Sequence, residues 1–293
     1  MRCAVGGRAR QSALEPEGTA MATKKIAIVT GAASGIGRAM TLGLVGAGID
    51  VAAVDRNEAG LAALAAAGHD KAGTIQSIPA DLAQPEAFDA IVAAVLSRSG
   101  RIDVLVNNAG IGQASIKPDQ RRNPIRMWEI THEQWQRFLA VNATGPIMMA
   151  RAVVPHMLAA GAGRVITVTT SLGTMVRGGY LLYGASKAAA EAAMAGLAAD
   201  LKGTGVTSNV LVPGGVTNTA IVGDEAGDRA RMLQPEIMVP PLLWLISDAA
   251  SEVTARRFVA MDWDASLPPA QAAEQAGVPI AWLGIARMPV EPG

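Results

Sequence analysis

Short apolar runs alternate with longer stretches of helical period along most of this chain. Residues 25–30 (KIAIVT), 50–54, 73–78, 103–106 (DVLV), 164–169 (RVITVT), 206–212 and 257–260 predict strands. Residues 36–47, 58–67, 86–97, 133–160, 183–201 and 235–246 predict helices. Thr131 and Gln134 stand at capping-box spacing ahead of the longest one. Strands alternating with helices mean βαβ units, and right-handed crossovers put helices on both faces. The expected fold is a single α/β domain with a doubly wound, Rossmann-type parallel sheet of seven strands.

The two ends read differently. Residues 1–22 are rich in Gly and Arg without an apolar period, and are expected to be a disordered extension before a domain at 23–264. Met21 is an alternative start. Arg2, Arg8 and Arg10 precede the first acid, Glu15, a faint likeness to a transit peptide. Residues 265–293, rich in Ala and Pro, are expected to be a C-terminal extension with one short helix near 268–276.

Half of the 293 residues are apolar and 17% are charged, ample for a core. The 25 basic residues balance 25 acidic ones, which leaves no electrostatic footprint for nucleic acid or an anionic membrane. The single cysteine, Cys3, excludes a disulfide framework or a cysteine metal cluster. His69, His132 and His156 lack ligand spacing, so no metal is expected. No run reaches the ~18 apolar residues of a membrane span. Composition therefore points to a cytoplasmic globular protein.

The segment Thr30-Gly31-Ala32-Ala33-Ser34-Gly35-Ile36-Gly37 lies between the first strand and the first helix. Glycines there permit a tight turn and let the backbone approach a pyrophosphate held at the helix N-terminus. Gly31, Ser34, Gly35, Ile36 and Gly37 are the candidate contacts. Asp55 ends the second strand, where a carboxylate accepts both adenosine ribose hydroxyls and repels a 2′-phosphate. Arg56 beside it is suited to pair with such a phosphate. NAD is expected, and NADP is the second choice. Further along, Tyr183 and Lys187 in Tyr183-Gly184-Ala185-Ser186-Lys187 share one helix face, and a nearby cation is expected to lower a tyrosine pKa.

Together these blocks resemble the short-chain dehydrogenase/reductase family over about residues 24–262. The segments that carry the likeness are TGAASGIG (30–37), Asp55, Asp81-Leu82, NNAG (107–110), Asn142 in VNATG, TVTTSLG (167–173), YGASK (183–187) and PGG (213–215). The resemblance implies that Tyr183 is the general acid/base. It implies that Lys187 holds the nicotinamide ribose and that Asn142 anchors a water linking Lys187 to solvent. By the same likeness Asp81 and Leu82 flank the adenine, Asn108 lies along the adenosine ribose, Gly110 belongs to the cofactor site, and the Val216 backbone meets the carboxamide. Apart from the family, Asp81 reads equally as a turn cap and Asn142 as a buried polar residue.

There are departures from the family pattern. The usual serine, thirteen residues before the tyrosine, is Thr170, with Ser171 next to it. Either hydroxyl is a candidate donor to the substrate oxygen, Thr170 first, because counting without gaps from Tyr183 and from Gly173 selects it and successive residues after a strand point to opposite sides. Lys117, Arg121, Arg122 and Arg126, followed by Trp128, read first as a solvated loop and second as a mouth for an anionic substrate such as an acyl-CoA. The pocket is expected among Leu172, Met175, Tyr180, Gly215 and residues 217–235.

The expected function is hydride transfer between NAD(H) and a secondary alcohol or ketone. A 3-oxoacyl thioester reductase is the first alternative, and a cofactor-binding protein with little catalysis the second. A small-molecule substrate is expected. The family habit of assembling through the helices at 183–201 and 235–246 implies a homo-oligomer, tetramer before dimer.

Overall fold

Every residue of β1 (Ile26–Thr30) is buried, as befits a strand inside a sheet covered on both faces. The computed structural model describes residues 24–223 and 227–285; the expectation for residues 1–22 lies outside them. β1 pairs in parallel with β2 (Asp50–Asp55) on one side and β4 (Val104–Asn107) on the other. β3 (Ile75–Pro79) flanks β2, and β5 (Gly163–Val168), β6 (Val206–Val212) and β7 (Arg256–Val259) follow β4 outward. β8 (Gly277–Pro279) completes the order β3-β2-β1-β4-β5-β6-β7-β8.

The connections are α1 (Gly35–Gly46), α2 (Glu58–Ala67), α3 (Ala87–Ser99), α4 (His132–Leu139), α5 (Gly145–Ala160), α6 (Leu172–Met175), α7 (Leu181–Asp200), α8 (Val239–Leu245) and α9 (Pro269–Ala276). Alternation along β1 divides the core. Ile26 and Ile28 pack with Ile91 of α3, Val153 of α5 and Met194 of α7. Ala27 and Val29 pack with Met40 of α1, Leu61 of α2 and Leu242 of α8. Both faces are thus covered, and the fold is the doubly wound sheet expected.

The long helix expected over 133–160 is continuous but not uniform. α4 begins at the Thr131–Gln134 capping box, and a π turn at Ala140–Thr144 joins it to α5. By length and composition this stretch is apolar enough to cross a membrane, contrary to the reading from run length alone. Met149, Val153 and Met157 instead pack against the sheet, so it is a core helix of this fold.

The sheet has eight strands rather than seven, because part of the expected C-terminal extension joins it. β8 runs antiparallel to β7, with Phe258 opposite Gly277. Ala272, Ala273 and Ala276 of α9 are buried, and Ile280 is fully buried. The physical reason is the edge of β7, whose backbone groups would otherwise stay unpaired. Three residues, Gly-Val-Pro, carry no strand periodicity, so the pairing was not visible locally.

The strand order reverses at β1 and β4. Their carboxyl ends open a crevice between residues 30–37 and 107–110, where ligands of such sheets bind.

Candidate active site

Thr30 and Asn108 lock the two sides of this crevice together. The Thr30 hydroxyl accepts the Asn108 and Ala109 amides at 3.0 and 3.1 Å. The Asn108 side-chain amide donates to the Thr30 and Gly31 carbonyls at 3.0 and 3.2 Å. Asn108 therefore holds the glycine turn in shape. Gly31 has φ +65°, and a Cβ there would lie 2.8 Å from Ala109 Cα. A Cβ on Gly37 would meet the Gly31 carbonyl oxygen at 2.0 Å. The turn accepts only glycine at both points.

Ser34 is exposed at the N-cap of α1, and Gly35 and Ile36 are half-buried behind it. No acidic residue stands in the first turn of this helix, so its amide dipoles are free to favour an anion. The Asp55 carboxylate accepts the Ala33 amide at 3.0 Å and the Asn57 amide at 2.9 Å, while Arg56 is exposed. Asp81 accepts the Ala83 amide at 3.0 Å, the turn-capping contact, and Leu82 is buried beside it.

Across the crevice, the π turn carries Asn142 inward. Its Oδ1 accepts the Ile111 amide at 2.8 Å, and its Nδ2 donates to the Ile111 carbonyl at 3.0 Å and to Ser186 Oγ at 3.1 Å. Ser186 donates in turn to the Tyr183 carbonyl at 2.9 Å. Lys187 is 3% exposed and donates from Nζ to the Val168 carbonyl at 2.9 Å. Burial pushes its pKa down to about 8. Gly110 sits against both groups: a Cβ there would be 3.2 Å from Asn142 Oδ1 and 3.2 Å from Lys187 Nζ.

The Thr170 hydroxyl neighbours the Tyr183 phenol. Burial raises the Tyr183 pKa, and the Thr170 contact offsets part of that rise. This corrects the expectation that the neighbouring lysine lowers it. The Lys187 ammonium is directed at Val168 instead, and desolvation dominates. Ser171 is engaged within its own turn: its hydroxyl shares a 2.7 Å bond with Thr174 Oγ1 and caps α6.

Val216 is half-exposed, and its carbonyl accepts the Leu233 amide at 3.0 Å. Together with Asp228, Arg231, Met232 and Leu233 it lines a cavity of about 370 Å³. The basic loop presents Arg121, Arg122, Arg126 and Trp128 to solvent. Two buried glutamines that the sequence did not single out tie this loop down. Gln113 donates to the Gly179 carbonyl at 2.7 Å, and Gln120 reaches the Tyr180 hydroxyl at 3.4 Å. A second pair also escaped notice, Glu191 and Arg257, buried behind Thr170. The only local signal was Glu191 standing four residues beyond Lys187, on the same helix face.

The glycine cradle, the fixed Asp55 carboxylate and the buried Lys187 ammonium fit a dinucleotide in chemistry. The profile of the family described as short chain dehydrogenase matches residues 25–230. D-threitol dehydrogenase of Mycolicibacterium smegmatis is 32% identical over 251 residues, 80% of this chain and 90% of that protein. A 3-ketoacyl-(acyl-carrier-protein) reductase from Brucella melitensis, solved with NADH, superposes with TM-score 0.68 at 29% identity, over 78% of this chain and 93% of that one. A metagenomic short-chain oxidoreductase solved with NADP gives TM-score 0.68 at 26% identity, over 80% of this chain and 95% of that one.

Proposed function

This chain belongs to the short-chain dehydrogenase family, and from that premise we propose that it interconverts a secondary alcohol and its ketone with NAD(H). The observation that carries the reading is the Tyr183–Thr170 hydroxyl pair one helical turn from a buried lysine ammonium. Bound in the crevice, the nicotinamide supplies or accepts the hydride.

The glycine turn and the α1 amides would hold the pyrophosphate, and Asp55 the adenosine ribose. A carboxylate has about four lone-pair sites, and backbone amides engage two of those on Asp55, leaving acceptors for hydroxyls. Leu82 and the Val216 backbone would border the adenine and the carboxamide. Lys187 uses one of its three protons on Val168, so two remain for ribose hydroxyls.

In reduction Tyr183 gives its phenolic proton to the carbonyl oxygen while Thr170 donates a second hydrogen bond to that oxygen. In oxidation the same groups work in reverse. Tyr183 then recovers or sheds its proton by way of Lys187, whose pKa of about 8 lies close enough to neutrality for exchange. Asn142, which hydrogen-bonds Ile111 and Ser186, would support this passage by anchoring a water between Lys187 and solvent.

A 3-oxoacyl thioester reductase is the second reading, favoured by Arg121, Arg122 and Arg126, exposed on the loop that leads from β4 to α4. The reading also assigns a cytoplasmic homo-oligomer, tetramer before dimer. Its support is the balanced charge and the row of exposed small residues Ala189, Ala192, Gly196 and Ala199 on α7.

A panel of secondary alcohols, polyols, ketones and 3-oxoacyl thioesters, assayed with both dinucleotides, tests the proposal. Turnover of an alcohol or ketone with NAD(H) is expected. Turnover confined to thioesters selects the second reading, and dinucleotide binding without turnover anywhere in the panel overturns both.

A further inference from the structure

Behind the Tyr183–Thr170 pair lies an ion pair removed from water. Glu191 is fully buried and Arg257 is 3% exposed. Glu191 Oε2 accepts Arg257 Nη1 at 2.5 Å and the Thr169 hydroxyl at 2.6 Å. Its other oxygen accepts the Ala281 amide at 3.1 Å. The second arm of Arg257 donates to the Thr170 carbonyl at 2.5 Å.

An ion pair in such a place is a poor way to gain stability, because desolvating two charges offsets much of their attraction. What it supplies is direction. The fork of a guanidinium fixes two acceptors at once, here a carboxylate on α7 and the backbone of Thr170. Thr169 and Thr170 are the first two residues after β5, where ladder pairing has ended and Ser171 begins a new helix. Among the described residues, Arg257 is the group that holds the Thr170 carbonyl. Tyr183, Lys187 and Glu191 follow at intervals of four along α7, so one helix carries both the phenol and the anchor of its hydroxyl partner.

We propose that Glu191 and Arg257 are positioning residues that hold the Thr170 hydroxyl against Tyr183. The C-terminal segment takes part, since the Ala281 amide occupies the second oxygen of Glu191. The inference rests on the reading of Thr170 as the donor beside Tyr183.

The decisive variant is Arg257→Lys. It keeps a cation for Glu191 but has no second arm for the Thr170 carbonyl. The chain has two tyrosines, so in a Tyr180→Phe background the ultraviolet absorbance of tyrosinate reports Tyr183 alone. Around that phenol stand the Thr170 hydroxyl, which lowers its pKa, and Lys187 one turn along, directed at Val168. Loosening Thr170 must therefore raise the titration midpoint. Arg257→Lys and Thr170→Val are both expected to raise it. Arg257→Lys is also expected to lower kcat about tenfold, with the KM for the dinucleotide unchanged.

An Arg257→Lys protein that melts earlier but keeps its kcat and its Tyr183 midpoint overturns the proposal and makes the pair merely structural. If Thr170→Val itself leaves the midpoint in place, the Thr170–Tyr183 contact is wrong, and the functional reading of Thr170 falls together with the clamp. If the lysine variant does not fold, Glu191→Gln/Arg257→Met, which buries no charge, takes its place and must shift the midpoint in the same direction.

Discussion

The Asp55 carboxylate accepts the Ala33 amide at 3.0 Å, which joins the end of β2 to the middle of the glycine turn. Its second oxygen accepts the Asn57 amide at 2.9 Å, so the carboxylate cannot rotate away from the crevice. A 2′-phosphate would approach this fixed negative charge with only the exposed Arg56 to offset it. NADH is expected to give the higher kcat/KM. Asp55→Ala should narrow or reverse that preference. Equal or better use of NADPH by the unaltered protein would falsify this assignment.

Thr170→Val removes one hydroxyl and keeps the side-chain shape. It should lower kcat by ~10²-fold, the scale of a lost oxyanion donor. Ser171→Ala removes the cap of α6 and should cost about 1 kcal/mol of stability, with kcat changed far less. Steady-state rates and urea denaturation of both variants separate the two hydroxyls. An inactive Ser171→Ala beside an active Thr170→Val would reverse their roles.

Lys187 has a folded pKa of about 8, below its ordinary 10.5. Between these values the unfolded chain binds more protons than the folded one, so stability rises with pH across that window. Below about pH 8 the full penalty of burying the ammonium applies. Lys187→Met should therefore stabilise the dinucleotide-free protein at pH 7, by up to about 3 kcal/mol before the lost Val168 bond is counted. The advantage should shrink as the pH climbs toward 10, and kcat should collapse. Urea denaturation at both pH values checks this; a variant less stable than the parent at pH 7 and equal to it at pH 10 has the wrong sign.

The exposed row Ala189, Ala192, Gly196 and Ala199 lets another backbone approach α7 closely, while α9 packs against α8 on the far side of the sheet. Light scattering is expected to give a multiple of the 30.0 kDa chain mass, four before two. Gly196→Arg, at a position where an added Cβ meets nothing beyond its own helix within 4 Å, should lower that mass without unfolding the protein. A single-chain mass for the parent at micromolar concentration ends the idea.

Much of this molecule could be read from neighbouring residues alone. The strands and helices follow from apolar period, and the Thr131–Gln134 box marked the start of α4. The glycine turn announced itself because Gly31 adopts a left-handed φ and Gly37 faces a carbonyl, both matters of local backbone. Tyr183 and Lys187 could be paired because four residues make one helical turn.

Other features depend on residues far apart in sequence, and only the tertiary structure decided them. Glu191 meets Ala281 across 90 positions and Arg257 meets Thr170 across 87, distances over which period and spacing carry no information. β8 exists because β7 needed a partner, not because Gly-Val-Pro prefers a strand. That Thr170 neighbours the Tyr183 phenol while Ser171 stays with Thr174 is likewise a matter of the fold, since the two hydroxyls are adjacent in sequence. The direction of the Tyr183 pKa reversed for the same reason. A helix face tells which charges are near, but desolvation depends on everything the chain packs around them.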